Sequence, residues 1–225
     1  MTLISRGDEP SAEERCLFQA ARQGSTIFDI GAFLGTHTVF FSERVGPSGR
    51  VVAFEPHPDN RAAILEQVES LRLRNVELRD VGVGRVSGSV EFVYPEDLGR
   101  GTADPEVGRA IRASEPCLSR TFPVRSLDDQ TSSGELPDPD LVKVDVEGLE
   151  YDVLLGMEQT VRRRKPELFL EMHGAGWDHE CANYRRVVGW LLDHRYRVRH
   201  VQSGRRLRRF TRLRDCYAGE HLYCV

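Results

Sequence analysis

The sequence predicts an α/β protein built on a parallel β-sheet. Between residues 25 and 83, short apolar runs alternate with segments of helical spacing in the order strand, helix, strand, helix, strand. The apolar runs are nearly continuous, as in VVAF at 51–54, and do not alternate with polar residues. Continuous apolar strands are typical of a parallel sheet that is covered by helices on both faces.

The first half of the chain has a local reason for each element. Ser11 and Glu14 form a capping-box pattern at the start of a helix, and Gly46-Pro47 ends the helix that follows the first strand. The helix after the second strand carries an apolar stripe. The predicted strands are 25–30, 50–54 and 76–83, and the predicted helices are 11–22, 36–45 and 59–71.

The second half resumes the same rhythm after a different middle. The stretch Pro95–Arg120 is rich in Gly, Pro, Asp and Arg, and it predicts a long loop that is either functional or disordered. We therefore predict an N-terminal helical segment (1–24) and one domain (25–225) with an insert at about 95–120. The sequence predicts an antiparallel pair at 89–94 and 121–124, and a closing antiparallel pair at 196–201 and 221–225. Between these pairs it predicts strands at 141–146 and 168–172 and helices at 150–161 and 184–194.

Composition excludes several classes of protein. The chain has 225 residues, of which 40% are hydrophobic, and a net charge of −4, which is not the composition of a disordered protein. No apolar run is long enough to span a membrane, and the first 15 residues lack the apolar core of a secretory signal. Five scattered cysteines without a CxxC pair favour reduced thiols. These features predict a cytoplasmic protein.

Charge is distributed unevenly along the chain. Nine arginines and two acidic residues follow residue 194, which gives +7 there against −11 over residues 1–194. A basic end is typical of nucleic-acid or polyanion binding, but it also fits a solvated arginine-rich face. These arginines belong to the closing strand pair, away from the expected ligand loops, which favours a solvated rim or a site for an anionic partner.

The first glycine loop indicates a nucleotide-like ligand. Asp29, Gly31, Phe33 and Gly35 form a DxGxxxG pattern between a strand and a helix, where backbone N–H groups are free to bind a ligand. A dinucleotide fold requires GxGxxG, and Phe33 occupies the place of its second glycine. An acid before the first glycine suits a cation, such as the sulfonium and ammonium of S-adenosylmethionine.

Further candidate ligand contacts follow this loop. Glu55 ends the second strand, where a carboxylate can accept both hydroxyls of a ribose. Asp80 ends the third strand and can accept from an adenine amino group. Thr36 and His37 begin the helix after the loop, although packing is the alternative role for His37. His57, between two prolines, is expected on the surface.

The second half carries the family resemblance. Together with DIGAFLGTHT at 29–38 and VVAFEPHP at 51–58, the segments LVKVDVEGLE at 141–150 and PELFLEMH at 166–173 resemble the FkbM family of methyltransferases. The resemblance covers roughly residues 25–201. It implies a Rossmann-like class I methyltransferase with a seven-stranded, mostly parallel sheet, a C-terminal antiparallel strand and helices on both faces.

The resemblance also implies an activity. The donor would be S-adenosylmethionine, and the usual reaction is O-methylation of a hydroxyl on a sugar, a polyketide or another secondary metabolite. One departure is Phe33-Leu34, where the family commonly has Asn followed by Ile, Leu or Val. Phe33 is therefore expected to reshape the pocket beside the methionine part of the donor.

Four side chains at two strand ends are the candidate catalytic residues. Asp145 and Glu147 are two residues apart after one strand, and Glu171 and His173 are two apart at the next. Asp145 is expected to contact the donor amine or the acceptor. His173 or a carboxylate would be the general base. A divalent ion on Asp145, Glu171 and His173 is a less favoured alternative, and a structural role for Glu171 and His173 is another.

The sequence thus predicts an O-methyltransferase with a small-molecule acceptor and no membrane partner. A nucleic-acid methyltransferase that uses the arginine-rich C-terminus is less expected, because the segment from Arg205 to Arg214 contains only Phe210 as an aromatic residue for base stacking. A nucleotide-binding Rossmann protein without methyltransferase activity is the third alternative.

Overall fold

The chain forms two β-sheets surrounded by helices. A computed structural model describes residues 9–96, 101–208 and 220–225. The strands of the main sheet are β1 (Thr26–Ile30), β2 (Arg50–Phe54), β3 (Val76–Arg79), β7 (Leu141–Val144), β8 (Glu167–Met172), β9 (Val198–His200) and β10 (Glu220–Cys224). The smaller sheet contains β4 (Gly82–Val83), β5 (Gly88–Pro95) and β6 (Cys117–Arg125).

The main sheet has seven strands in the order β3-β2-β1-β7-β8-β10-β9. The pairs from β3 to β8 are parallel, and β10 is antiparallel to both β8 and β9. This confirms the predicted mostly parallel sheet with an antiparallel strand near its C-terminal end. The strand order reverses between β1 and β7, and in sheets of this kind ligands bind beyond the carboxyl ends of the strands at such a point.

Helices cover both faces of this sheet. Along each inner strand, neighbouring residues point to opposite faces, and both faces are buried. Ile27 packs with Leu17 and Phe41 on one face, and Phe28 packs with Val153 on the other. The helices are α1 (Ala12–Ala20), α2 (Thr36–Val45), α3 (Pro58–Ser70), α4 (Pro105–Ser114), α5 (Leu127–Ser132), α6 (Glu150–Leu155), α7 (Glu158–Arg164) and α8 (Trp177–Asp193).

The insert is where the sequence prediction was wrong. The expected loop at 95–120 contains α4, and β5 and β6 pair antiparallel across its base. Asp104 caps α4 by accepting hydrogen bonds from two backbone N–H groups, and Pro105 occupies its first turn. This Asp-Pro start is a readable helix signal. Residues 97–100 of the insert lie outside the described residues.

Three other predicted boundaries differ. The strand expected at 76–83 is divided, because the chain leaves the main sheet after Arg79 and enters the smaller one at Gly82. The helix expected at 150–161 breaks at Gly156, where a Cβ would lie 2.0 Å from the Gly84 carbonyl oxygen. The helix expected at 184–194 begins earlier, at Trp177, because its first two turns are mostly polar and hide the apolar period.

Two further predictions concern membrane-spanning segments and the cysteines. Among the residues that the structure describes, no helix is long and apolar enough to cross a membrane. The four described cysteines, Cys16, Cys117, Cys181 and Cys224, are all unbridged. Three of the late arginines (Arg209, Arg212 and Arg214), together with Cys216, lie outside the described residues.

Candidate active site

A cavity of about 320 Å³ lies beyond the carboxyl ends of β1, β2, β7 and β8. The loops after these strands form one side, and the smaller sheet with the segment that precedes α4 forms the other. The first side contributes Gly31, Phe33, Glu55, Asn60, Asp145, Glu147, Glu171 and His173. The second side contributes Val83, Val90, Phe92, Ala103, Phe122 and Val124. A polar floor thus faces an apolar, partly aromatic wall.

The glycine loop packs directly against the turn after β7. Gly31 has φ +76°, and a Cβ there would lie 1.8 Å from the Asp145 carbonyl oxygen. Gly35 has φ +86° at the N-cap of α2, where a Cβ would lie 2.9 Å from Ile64 Cγ1. Both glycines are therefore required by backbone conformation and by space. Phe33 lines the cavity with a φ of 51°, a strained value for a non-glycine residue.

Glu55 is a buried carboxylate on the cavity wall. Its Oε2 accepts a hydrogen bond from the Phe33 N–H at 2.9 Å, and its Oε1 accepts one from the His57 N–H at 2.8 Å. Asn60 Nδ2 lies 3.3 Å from Oε1. Burial raises the pKa of Glu55 to about 7, because the loss of hydration outweighs these hydrogen bonds. Glu55 therefore changes charge near neutral pH.

A buried lysine on β7 forms an ion pair with an aspartate on the neighbouring strand β1. Lys143 Nζ lies 3.1 Å from Asp145 Oδ2 and 3.8 Å from Asp29 Oδ1. Burial alone would lower the pKa of Lys143, but the Asp145 and Asp29 carboxylates outweigh it and raise it well above its usual range. Asp29 is fully buried and accepts a hydrogen bond from Thr38 Oγ1 at 2.6 Å. Lys143 thus neutralises Asp29 and orients Asp145 at the cavity.

His173 lies among four carboxylates. Its Nε2 is 3.4 Å from Glu171 Oε1, 3.8 Å from Glu147 Oε2 and 3.9 Å from Asp145 Oδ1, and its Nδ1 is 3.2 Å from Glu150 Oε1. Burial lowers the pKa of His173, but the carboxylates of Glu150, Glu171 and Glu147 outweigh it and raise the pKa to about 11. The ring is therefore an imidazolium at neutral pH, which donates hydrogen bonds.

Glu150 fixes the orientation of that ring. Its carboxylate is fully buried and accepts hydrogen bonds from the Gly148 N–H at 3.0 Å and from Asn183 Nδ2 at 2.6 Å. Asn183 also donates to the His173 carbonyl oxygen at 3.1 Å. With Nδ1 held by Glu150, the Nε2 edge of His173 faces the cavity.

The insert fastens the turn that carries Glu147. Thr102 Oγ1 donates a 2.6 Å hydrogen bond to the Glu147 carbonyl oxygen. Glu147 has a φ of 53°, and Gly148 follows with a φ of 109°. Asp104, at the start of α4, lies 3.5 Å from His179 Nε2 on α8. Residues 101–104 therefore bind both the β7 turn and α8 at the edge of the cavity.

The structure brings some predicted site residues together and separates others. Gly31, Phe33, Glu55, Asp145, Glu147, Glu171 and His173 line the cavity. Asp29, Gly35, Thr36, His37 and Asp80 are not among its described lining residues. His37 Nε2 lies 3.4 Å from Glu13 Oε1 on α1, and Asp80 is exposed at the tip of β3.

Sequence reasoning missed several residues that shape the site. Lys143 was hidden within the apolar strand LVKV, although a lone lysine there was a readable signal. Glu150 ends the segment LVKVDVEGLE, but its contact with His173 depends on the packing of β8. The expectation that His57 is exposed was wrong, because its ring is buried against Tyr94 and Phe122 at centroid distances of 4.7 and 5.9 Å.

The candidate ligands of a metal ion also lie at this site. One ligand atom each from Asp145, Glu171 and His173 can be chosen so that all three lie within 4.8 Å of one another. Glu150 on the second ring nitrogen of His173 resembles the carboxylate support common among metal-bound histidines. The donor set of two carboxylates and one imidazole therefore fits a divalent cation.

Comparison with known proteins identifies relatives of this chain. Residues 29–198 match the sequence profile of the Methyltransferase FkbM domain. The hexuronic acid methyltransferase AglP of Haloferax volcanii is 31% identical over 148 residues, which cover 66% of this chain and 56% of that protein. The 2-O-methyltransferase NoeI of Sinorhizobium fredii is 27% identical over 150 residues, which cover 62% of this chain and 60% of that protein.

The fold agrees with a solved structure of the same kind. A methyltransferase FkbM from Methylobacillus flagellatus KT superposes with a TM-score of 0.56 at 18% identity, over 89% of this chain and 43% of that one. The matched segment spans less than two thirds of each of these proteins. The profile match, by contrast, covers most of this chain and includes both sides of the cavity floor. The chain belongs to the FkbM family of methyltransferases.

Proposed function

We propose that this protein is an S-adenosylmethionine-dependent O-methyltransferase that acts on a hydroxyl of a sugar or a similar small molecule. The observation that carries the proposal is the arrangement along one cavity: Glu55 at the end of β2, the glycine loop after β1, and the cluster of acids around His173 after β7 and β8. A nucleoside, a methionine chain and a hydroxyl can be arranged in that order.

The donor fits the first two parts of the cavity. Glu55, held by two backbone N–H groups, would accept the two ribose hydroxyls. We place the adenine ring against the apolar wall around Phe122 and Val124. Asp80, the adenine contact expected from the sequence, is exposed and does not line the cavity. Asp145, oriented by Lys143, would bind the donor ammonium. Asp29 would contribute through Lys143, since its own carboxylate is fully buried.

The acceptor would enter beside Glu147, Glu171 and His173. The donor supplies a methyl group on a positively charged sulfur, and transfer forms a carbon–oxygen bond as the carbon–sulfur bond breaks and its electron pair stays on sulfur. The chain must hold the hydroxyl about 3 Å from the methyl and accept its proton. Because the His173 ring is already protonated, we assign the base to a carboxylate, with Glu171 as first choice and Glu147 as second.

The relatives extend this proposal to the substrate class. AglP is named as a hexuronic acid methyltransferase and NoeI as a 2-O-methyltransferase, and both names are consistent with a hydroxyl-bearing acceptor. The cavity floor is acidic, so a neutral sugar or polyketide hydroxyl suits it better than a carboxylate-bearing group. The proposal includes a role in secondary metabolism and a cytoplasmic location. The four unbridged cysteines among the described residues support the location.

The nucleic-acid alternative receives less support. Among the described late arginines, Arg197 and Arg199 flank or lie in β9, the edge strand of the main sheet. Two other strands, β10 and β8, complete the sheet between that edge and β7. An arginine-rich rim at the sheet edge fits solvent or an anionic partner more readily than a nucleic acid base in the cavity.

The experiment compares cofactors first and acceptors second. Thermal shift with S-adenosylhomocysteine and with NAD should show stabilisation by the former alone. Tritiated S-adenosylmethionine is then offered with a panel of neutral sugars, hexuronic acids, polyketides and bulk RNA. Label on a hydroxyl oxygen of a small molecule supports the proposal. Stabilisation by NAD alone, or label on RNA alone, would overturn it.

A bound metal is the alternative means of activating the hydroxyl. Asp145, Glu171 and His173 would hold the ion, which would lower the pKa of a coordinated hydroxyl. If the carboxylate base suffices, transfer should persist at its full rate after dialysis against EDTA. Loss of activity that Mg²⁺ restores would assign the step to the metal.

Donor binding should weaken as the pH falls from 8 to 6. A Glu55 carboxylate accepts both ribose hydroxyls, whereas its protonated form loses one acceptor site. With a pKa of about 7, most of the side chain is charged at pH 8 and only about a tenth at pH 6. Titration calorimetry with S-adenosylhomocysteine should therefore show up to about ten-fold weaker affinity at pH 6.

The matched control is Glu55→Gln, which keeps the shape but cannot ionise. Its affinity should be low and nearly independent of pH. An equal slope in the variant, or a flat profile in the wild type, would contradict the assignment of Glu55 to the ribose.

A further inference from the structure

Glu171 lies between two imidazole rings. His173 Nε2 approaches its Oε1 at 3.4 Å, and His221 Nε2 approaches its Oε2 at 3.3 Å. His221 is on β10, directly opposite Glu171 in the antiparallel register of β8 and β10. Burial raises the pKa of Glu171, but the two histidines outweigh it and hold it well below its usual range. The carboxylate thus has a fixed neighbour on each oxygen.

The ring of His221 is fixed as firmly as that of His173. Gln202 accepts a hydrogen bond from the His221 backbone N–H on its Oε1 at 3.0 Å. This orients the Gln202 amide so that its Nε2 donates to His221 Nδ1 at 2.6 Å. The ring also packs on Phe169, with centroids 5.1 Å apart. A proton on Nε2 therefore points toward the carboxylates of Glu171 and Glu13.

Glu13 supplies the second carboxylate from α1. Its Oε1 lies 3.5 Å from His221 Nε2 and 3.4 Å from His37 Nε2. The helix is anchored independently, by the capping box of Ser11 and Glu14 and by burial of Leu17. One carboxylate thus contacts a ring at the start of α2, beside the glycine loop, and a ring beside Glu171.

We propose that Glu13 and His221 are positioning residues for Glu171. This inference rests on the proposed function, in which Glu171 faces the acceptor. His221 occupies one carboxylate oxygen and Glu13 holds His221, so the other oxygen stays beside His173 and is presented to the hydroxyl. Both residues lie outside the 29–198 segment that matches the family profile. The elements that carry them, α1 and β10, therefore complete the acceptor side of the site.

The test uses three variants of the first turn of α1. Glu13→Gln keeps the size but removes the charge, and it should lower kcat about ten-fold with the donor KM unchanged. Glu13→Asp should restore part of that loss. The matched control is Glu14→Gln, which removes a charge from the same turn but keeps a residue that can complete the capping box. It should leave kcat unchanged, because Glu14 is hydrogen-bonded only to Ser11 among the described groups.

A second readout does not need the acceptor. In protein labelled with ¹⁵N-histidine, Glu13→Gln should shift the ring resonances of His37, His221 and, through Glu171, His173, whereas Glu14→Gln should shift none of them. Unmoved His173 resonances, or a kcat that falls equally in Glu13→Gln and Glu14→Gln, would overturn the positioning role. Absence of methyl transfer by the wild type on every acceptor, with His173 shifted in Glu13→Gln, would instead overturn the proposed function.

Discussion

Replacing Glu171 with glutamine should lower the rate of methyl transfer by about 10²-fold, the lower end of the usual contribution of a general base, because the two histidines hold the pKa of this carboxylate below its usual range. The amide keeps the size of the side chain but cannot accept the hydroxyl proton. It also removes the charge that faces His173 at 3.4 Å and His221 at 3.3 Å. The affinity for S-adenosylhomocysteine should stay within about three-fold of wild type, because the donor contacts are assigned to Glu55 and Asp145.

The rate and the affinity are measured separately, by tritium transfer at saturating donor and by titration calorimetry. Glu69→Gln, an exposed carboxylate on α3, serves as the control for loss of one charge and should keep full activity. Full activity in Glu171→Gln would remove the base assignment from this residue. An equal loss of donor affinity would show that Glu171 belongs to the donor site.

Replacing Gly31 with alanine should abolish donor binding and strongly destabilise the domain. The new Cβ would lie 1.8 Å from the Asp145 carbonyl oxygen, which is backbone at the end of the neighbouring strand and cannot rotate away. This clash is relieved only if β1 and β7 separate at the point where the strand order reverses. That movement would displace Asp145 and Phe33 from the cavity.

Gly134→Ala is the matched control, because Gly134 has φ +75°, against φ +76° for Gly31, and a Cβ added there would have no atom within 4 Å. Left-handed strain, which costs roughly 1–2 kcal/mol, is common to both variants. Urea denaturation should therefore show a modest loss of stability for Gly134→Ala and a much larger one for Gly31→Ala. Equal losses would mean that backbone strain alone, and not the close approach to Asp145, requires glycine at position 31.

The parts of the site that lie on strand ends could be predicted from the sequence. Glu55, Asp145 and Glu171 each follow an apolar run, and the carboxyl ends of parallel strands meet at one edge of the sheet. The same reasoning placed His37 and Asp80 at the cavity, but it could not say which way each side chain turns after its strand or loop ends. His37 turns toward Glu13, and Asp80 remains exposed.

The remaining features depend on long-range packing. Glu13 and His221 are 208 positions apart in sequence, and only the docking of α1 beside β10 brings them within 3.5 Å. The protonated state of His173 depends on three carboxylates from two strand ends and one helix. The helix in the insert is different, since its Asp104-Pro105 start was readable but was outweighed by the surrounding Gly and Pro residues.

The most direct test of the proposed methyl transfer is a crystal structure with S-adenosylhomocysteine. We expect both ribose hydroxyls to be hydrogen-bonded to Glu55, the ammonium to lie beside Asp145, and the sulfur to face the space between Glu147, Glu171 and His173. A ligand bound outside this cavity, or one whose sulfur points away from that cluster, would contradict the proposed reaction.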